Sequence, residues 1–341
     1  MTKTRWLDAF GIVAVAIAVT LIAARNVDGD SSNLILNVSY DPTRELYKDL
    51  NARFLAKYEK ETGRLLTIKQ SHGGSSRQAR TVIEGVPADA VTLALPSDIE
   101  GLRKRGLIAD GWKNRLPNES RPYASTIVFV VRKGNPFGIK DWPDLIQPGI
   151  IIVTPNPKTS GNGKLSFLAA WGSVTQRGGS EAAARGFEKA LYEHAIVGDA
   201  GARGAATTFA AEKIGDVHLT WENEALREVQ EAKGDLEIVY PPISIQAEPS
   251  VAWVDANVSR HGIEADVKAY LQFLYTAEAQ EIIASHGYRP IDPEILRRHA
   301  NLLPPIELFS IKAIAKDWDD AQQKFFAENG VFDAIYTRRP N

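Results

Sequence analysis

The chain contains no cysteine in 341 residues. Disulfides, thiolate nucleophiles, iron–sulfur clusters and cysteine-built zinc sites are therefore excluded. Histidine is scarce: six residues, at 72, 194, 218, 261, 286 and 299, without HExxH or HxH spacing. A histidine-built metal site is not expected, and no cofactor is implied. No long basic run occurs and the formal net charge is −2, which argues against nucleic acid as a partner. The G-x-S-x-G nucleophile elbow is missing. NGKL at 162–165 is not a P-loop, because no Ser or Thr follows Lys164 and the upstream glycine is misplaced. No internal repeat or low-complexity tract is visible.

What remains is an ordinary globular composition, 44% hydrophobic and 24% charged. The length suffices for two domains with real cores. At the N-terminus, Lys3 and Arg5 precede the uncharged run AFGIVAVAIAVTLIAA, residues 9–24. That run is short for a membrane span and suits the apolar region of an export signal. Ala23 and Ala24 are small, but Leu21 and Ile22 occupy positions where a cleavage site wants a small residue, and Arg25 follows at once. Residues 1–30 thus read as a signal peptide, with an uncleaved N-terminal anchor as the alternative. Either reading puts the rest of the chain outside the cytoplasm.

From residue 34, strand-like and helix-like runs alternate, the pattern of a parallel sheet covered on both faces. ILNVSY (35–40) is followed by a helix in which Leu46, Leu50, Phe54 and Tyr58 recur every four residues until Gly63. Asp41 is placed to be its N-cap and Pro42 its first residue. LLTIK (65–69), a helix over 76–84 and AVTLAL (90–95) come next. STIVFVVRKGNP (125–136) and EPSVAWVDA (248–256) are extended runs placed to connect two lobes. The expected architecture is α/β with residues 34–127 and 249–310 in a first lobe and 128–248 inserted as a second. A single amphipathic helix, DVKAYLQFLYTAEAQEIIAS, follows the return to the first lobe. Residues 311–341 read as C-terminal helices of unassigned lobe.

Five strand-to-helix junctions carry small or polar residues: SYDPTREL, QSHGGSSRQ, NPKTSGNGK, DAGARGAATTF and LTWENEA. In open α/β sheets ligands sit outside the carboxyl ends of the strands. Helix starts aim free N–H groups there and favour an anion. Taken singly, each junction has a plainer reading. Ser75 or Ser76 is an N-cap, Trp221 a core aromatic, His72 a structural hydrogen-bonding residue. Arg203 and Asp98 are either charges paired beside the helix starts or surface groups. Together the junctions form a cage for a ligand rich in acceptors.

In these runs, and in ADAVTLAL, STIVFVVRKGNP, AEPSV and GYRP (287–290), the chain resembles the periplasmic sulfate-binding and thiosulfate-binding proteins of bacterial ABC importers. The likeness extends from about residue 34 to near the C-terminus. It implies a type II periplasmic-binding-protein fold: two lobes, each a mostly parallel sheet flanked by helices, hinged by crossover strands. It also implies a periplasmic monomer, without enzymatic activity, that delivers sulfate or thiosulfate to a permease and ATPase complex. Carried over by motif, the ligand contacts are the backbone N–H groups of Asp41, Ser75, Gly161, Asn162 and Ala202, the Ser160 hydroxyl and the Trp221 indole. Arg203 and Asp98 are the charges expected behind them. Two positions depart from the family pattern, Asn162 and Ser76, where glycine is common. Asn tolerates left-handed geometry, so the site is expected to survive. Molybdate, a larger tetrahedral dianion, is the alternative ligand. Ferric iron would call for tyrosine pairs, and no Tyr-Tyr occurs. A sulfatase or phosphatase would need a metal or an activated nucleophile.

Overall fold

The computed structural model describes residues 33–336. The expected export segment, residues 1–30, lies outside the described residues. Two sheets organise the chain. The first has strand order Ser250–Trp253, Ala90–Leu93, Leu34–Tyr40, Thr67–Gly73. Its pairs are parallel except for Ser250–Trp253. The second has order Ala195–Ile196, Ile152–Val153, Val217–Trp221, Ile127–Arg132, Leu236–Val239. There only Ile127–Arg132 runs against its neighbours.

Both sheets are covered on both faces, because successive strand residues point to opposite sides. Ala90 joins the core on one face of the first sheet, with Leu46, Leu50, Phe54 and Tyr270. Val91 joins the other, with Val82, Ile99 and Leu102. On the second sheet Phe129 packs with Trp142, Phe167 and Trp171. Val128 and Val130 pack with Phe209 and Ala225. Residues from Phe309 to Phe332 join the Phe129 core, so the C-terminal segment packs on the second sheet.

The chain crosses between the sheets at Ser125 and at Ala247. These two residues exchange backbone hydrogen bonds, Ser125 N to Ala247 O at 3.2 Å and Ala247 N to Ser125 O at 2.8 Å. The helix expected over the DVKAY run is two helices, Glu264–Phe273 and Ala277–Ser285. Thr276 divides them: its hydroxyl accepts from Ala279 N at 3.3 Å and starts the second. Both pieces are amphipathic, so periodicity alone runs through the break.

Two outcomes test this packing. Phe325 is fully buried, with ring centroids 5.0 Å from Trp171 and 5.9 Å from Phe167. Phe325→Ala should lower unfolding free energy in urea by about 3–5 kcal/mol; a loss below about 1 kcal/mol would mean that the C-terminal segment is not part of this core. His72 is the penultimate residue of the strand Thr67–Gly73, with Nδ1 3.4 Å from Tyr40 O. Burial depresses its pKa from 6.5 to about 4. The folded state thus resists the proton that the unfolded chain accepts, and this contribution is lost as pH falls from 6.5 through about 4. The thermal midpoint of His72→Gln should therefore fall less over that window than that of the parent. Equal slopes would count against a half-buried neutral imidazole.

Candidate functional site

Strand register builds the floor of the site. Tyr40 pairs with Gly73, so two parallel strands of the first sheet finish side by side. The chain then enters the tight turn Asp41–Thr43 and the helix Ser75–Ile83. Across the gap, the second sheet ends at Trp221 and sends loops into the helices Gly161–Thr175 and Ala202–Ala206. Four helical starts, two from each sheet, therefore face one cavity. The first N–H groups of a helix have no carbonyl behind them to bond.

That cavity holds about 160 Å³ of empty space and is lined by Asp41, Ser75, Ser160, Gly161, Asn162, Ala202 and Trp221. All seven residues expected to touch a ligand thus lie together. Tyr40, Pro42, Gly73 and Gly74 complete the wall. The cavity is far smaller than a drug-sized pocket, so it suits one compact group. A larger cavity beside it, about 1050 Å³ of empty space, is lined by Glu45, Glu224, Arg227 and His286. Each of those four groups already has a partner, so size alone does not mark the chemistry.

The side-chain donors differ in what they leave free. Trp221 is fully buried and its Nε1–H has no partner among the described residues. Its ring leans on Tyr40, centroids 5.3 Å apart, which fixes the indole plane. Ser160 caps the Gly161–Thr175 helix by accepting from Gly163 N at 3.4 Å. An accepting hydroxyl oxygen still has its own proton to give.

Ser75 is different. Its hydroxyl donates to Asp98 Oδ2 at 2.5 Å and accepts from Ala94 N at 2.9 Å. Only its backbone N–H is left to face the cavity. The N-cap of that helix is Gly74, so neither Ser75 nor Ser76 caps it. Asp41 is likewise no N-cap. It opens the 3-10 turn, with Tyr40 in the cap position, and its carboxylate meets Arg44 Nη2 at 3.3 Å. Pro42 stays near the start because it needs no N–H acceptor there. Desolvation raises the Asp41 pKa, and Arg44 opposes the rise. Asn162 lies in the first helical turn, outside the left-handed region, and its Nδ2 donates to Leu219 O at 2.9 Å. Glycine's conformational freedom is not needed at that position.

Asp98 and Arg203 stand behind the lining. Asp98 accepts from both Ser75 and Ser76. Arg203 pairs with Glu45 at 2.8 Å and with Glu224 at 3.4 Å. Lys164, set aside with the P-loop, is 3% exposed. Its Nζ donates to Ser76 Oγ at 2.7 Å and to Gln322 Oε1 at 2.7 Å, and sits 3.7 Å from Asp98 Oδ1. Burial lowers its pKa and Asp98 works against that. A lone lysine opening the apolar run LSFLAAW was the available signal. Gly74 was also missed. A Cβ there would lie 2.5 Å from the backbone oxygens of both Thr159 and Ala200, so only glycine permits this approach of the two sheets' loops.

Comparison with known proteins agrees on one family. Residues 37–289 match the family described as bacterial extracellular solute-binding protein. A sulfate-binding protein of Escherichia coli strain K12 is 48% identical over 320 residues, covering 93% of this chain and 97% of its own. A thiosulfate-binding protein of Pseudomonas aeruginosa is 47% identical over 305 residues, covering 89% and 92%. Among solved structures, the sulfate-binding protein SubI from Mycobacterium tuberculosis H37Rv matches with a TM-score of 0.79 at 31% identity, over 86% of this chain and 99% of that one. With that match the fold is the two-lobed one of periplasmic binding proteins, and the chain belongs to the bacterial extracellular solute-binding proteins.

Proposed function

We propose that the protein captures sulfate or thiosulfate in the small cavity between its two sheets and delivers it, as a periplasmic monomer without catalytic activity, to an ABC importer. The observation that carries this reading is the Trp221 indole N–H, fully buried and unpartnered in a cavity ringed by helix starts. The similarity to sulfate- and thiosulfate-binding proteins supports it. The lobes in this reading are residues 34–127 with 249–310, and 128–248, with the C-terminal segment riding on the second.

The lining suits a dianion that carries no proton. Sulfate at neutral pH needs donors only, and hydrogen bonds to a charged partner contribute roughly 1.5–3 kcal/mol each. Each helix start adds roughly 0.3–1 kcal/mol. Several together offset dehydration and an association cost of about 4–15 kcal/mol. Monoprotonated phosphate has one O–H that a donor-only wall leaves unpaired, which disfavours it. The donors assigned are the backbone N–H groups of Asp41, Ser75, Gly161, Asn162 and Ala202, the Ser160 hydroxyl and the Trp221 indole.

Calorimetric titration tests the assignment. The protein should bind sulfate one to one and phosphate far more weakly at neutral pH; equal affinities would sink the donor-only account. Trp221→Phe keeps the ring and removes one donor, so sulfate affinity should fall roughly ten- to a hundredfold. Ser160→Ala should cost about as much, whereas Ser75→Ala should act on folding stability, through its lost bonds to Asp98 and Ala94, more than on affinity.

Gly74→Ala probes closure. Its methyl group meets backbone oxygens only when the two loops are together. The variant should keep the thermal midpoint of the ligand-free parent yet lose sulfate-driven compaction in small-angle scattering. Compaction equal to the parent's would show that the lobes do not close at Gly74.

A further inference from the structure

The anion cavity leaves two sequence motifs unexplained, the ENEA that follows Trp221 and GYRP at 287–290. The fold brings them together at the hinge. Glu222 is the first residue of the helix Glu222–Glu231, next in sequence to the indole donor. Its backbone N–H donates to Thr126 O, on the first crossover, at 3.0 Å. Its carboxylate is fully buried. Arg289 grips that carboxylate with two bonds, Nε to Oε2 at 2.8 Å and Nη2 to Oε1 at 2.7 Å. The strand Arg289–Pro290 pairs in turn with Tyr123–Ala124, immediately before the same crossover. Arg289 Nη2 also donates to Pro304 O at 2.8 Å. A guanidinium attached to the first sheet's side thus neutralises a carboxylate attached to the second.

We propose that Arg289 is a positioning residue of the anion site: by cancelling the charge of Glu222 it removes a buried negative potential beside Trp221, and it anchors the start of the segment that presents the indole. The proposal rests on the reading of the ligand as a sulfate-type dianion. Charges act over longer range inside a protein than in water. Removing one partner of a buried pair leaves the other uncompensated. Without Arg289, the Glu222 carboxylate either repels the incoming dianion or takes up a proton to avoid doing so. Burial already pushes Glu222 up from the usual carboxylate range, with Arg289 and the facing Tyr240 phenol holding it down. Without Glu222 the opposite charge is left, and it attracts the dianion. Removing the charge from opposite ends of the same pair therefore changes affinity in opposite directions, which a purely structural role does not do.

The test is calorimetric titration of the parent, Arg289→Gln, Glu222→Gln and the double variant with sodium sulfate near neutral pH, in two buffers of different ionisation enthalpy. Arg289→Gln should bind about tenfold or more weakly and take up a proton on binding. Glu222→Gln should bind as tightly as the parent or more tightly, even if its thermal midpoint drops. The double variant should return to within about threefold of the parent with no proton uptake. Equal weakening in both single variants, or an Arg289→Gln affinity within about threefold of the parent, overturns the proposal. If Arg289→Gln does not fold, Glu222→Gln decides: an affinity more than about threefold below the parent overturns it. A parent that does not take sulfate sinks the functional reading instead.

Discussion

A backbone N–H at the start of a helix has no carbonyl four residues behind it, and in a buried place it must find another acceptor. The site is organised around that constraint. The sheet register places Tyr40 beside Gly73, so two chain segments turn into helical structure at one level. The second sheet delivers two more from the opposite side. Polar N–H groups converge on a space of about 160 Å³ without a cationic side chain lining it. In the proposed reading, attraction for an anion comes from fixed dipoles that need no reorganisation and no counter-charge.

Neutral donors hold a dianion only if nothing nearby repels it. Carboxylates are close, and each is answered. Asp41 meets Arg44. Asp98 accepts from two serine hydroxyls and faces Lys164. Glu224 lies between Arg203 and Arg227. Glu222 is held by Arg289. Two of these pairs, Asp98 with Lys164 and Glu222 with Arg289, join residues of one sheet's surroundings to the other's, and Lys164 also reaches Ser76. The charge balance therefore depends on how the two sheets' surroundings meet as well as on each sheet's own fold. Tight approach has a steric side too, since the loop at Gly74 has no room for a side chain.

Alternating strand and helix patterns, the short strands and the helix stops were legible in the chain because they depend on neighbours in sequence. So were the small-residue junctions, because a helix start needs the same local chemistry wherever it lies. Absence of cysteine and of clustered histidine excluded whole classes of chemistry without reference to any fold. The details that failed were those in which a distant group overrode a local preference. Asp41 has the right residue type for an N-cap, yet Thr43 holds that place before the helix Arg44–Thr62, because the chain enters a 3-10 turn first. Ser75 has the right hydroxyl, but Asp98, 23 residues on, takes it. The break at Thr276 hides inside an unbroken amphipathic pattern.

By itself, then, the sequence determined which segments would be strands, which junctions would offer free donors, and which chemistries were unavailable. Propensity, periodicity and capping act over a few residues and can be read in one dimension. Only the tertiary structure decided that the Trp221 N–H would remain unpartnered, that Lys164 would be buried against Asp98 and Ser76, and that Arg289 would reach Glu222 across 67 positions. Those outcomes depend on which side chains are brought to the same place, and on the requirement that a buried polar group find a partner there.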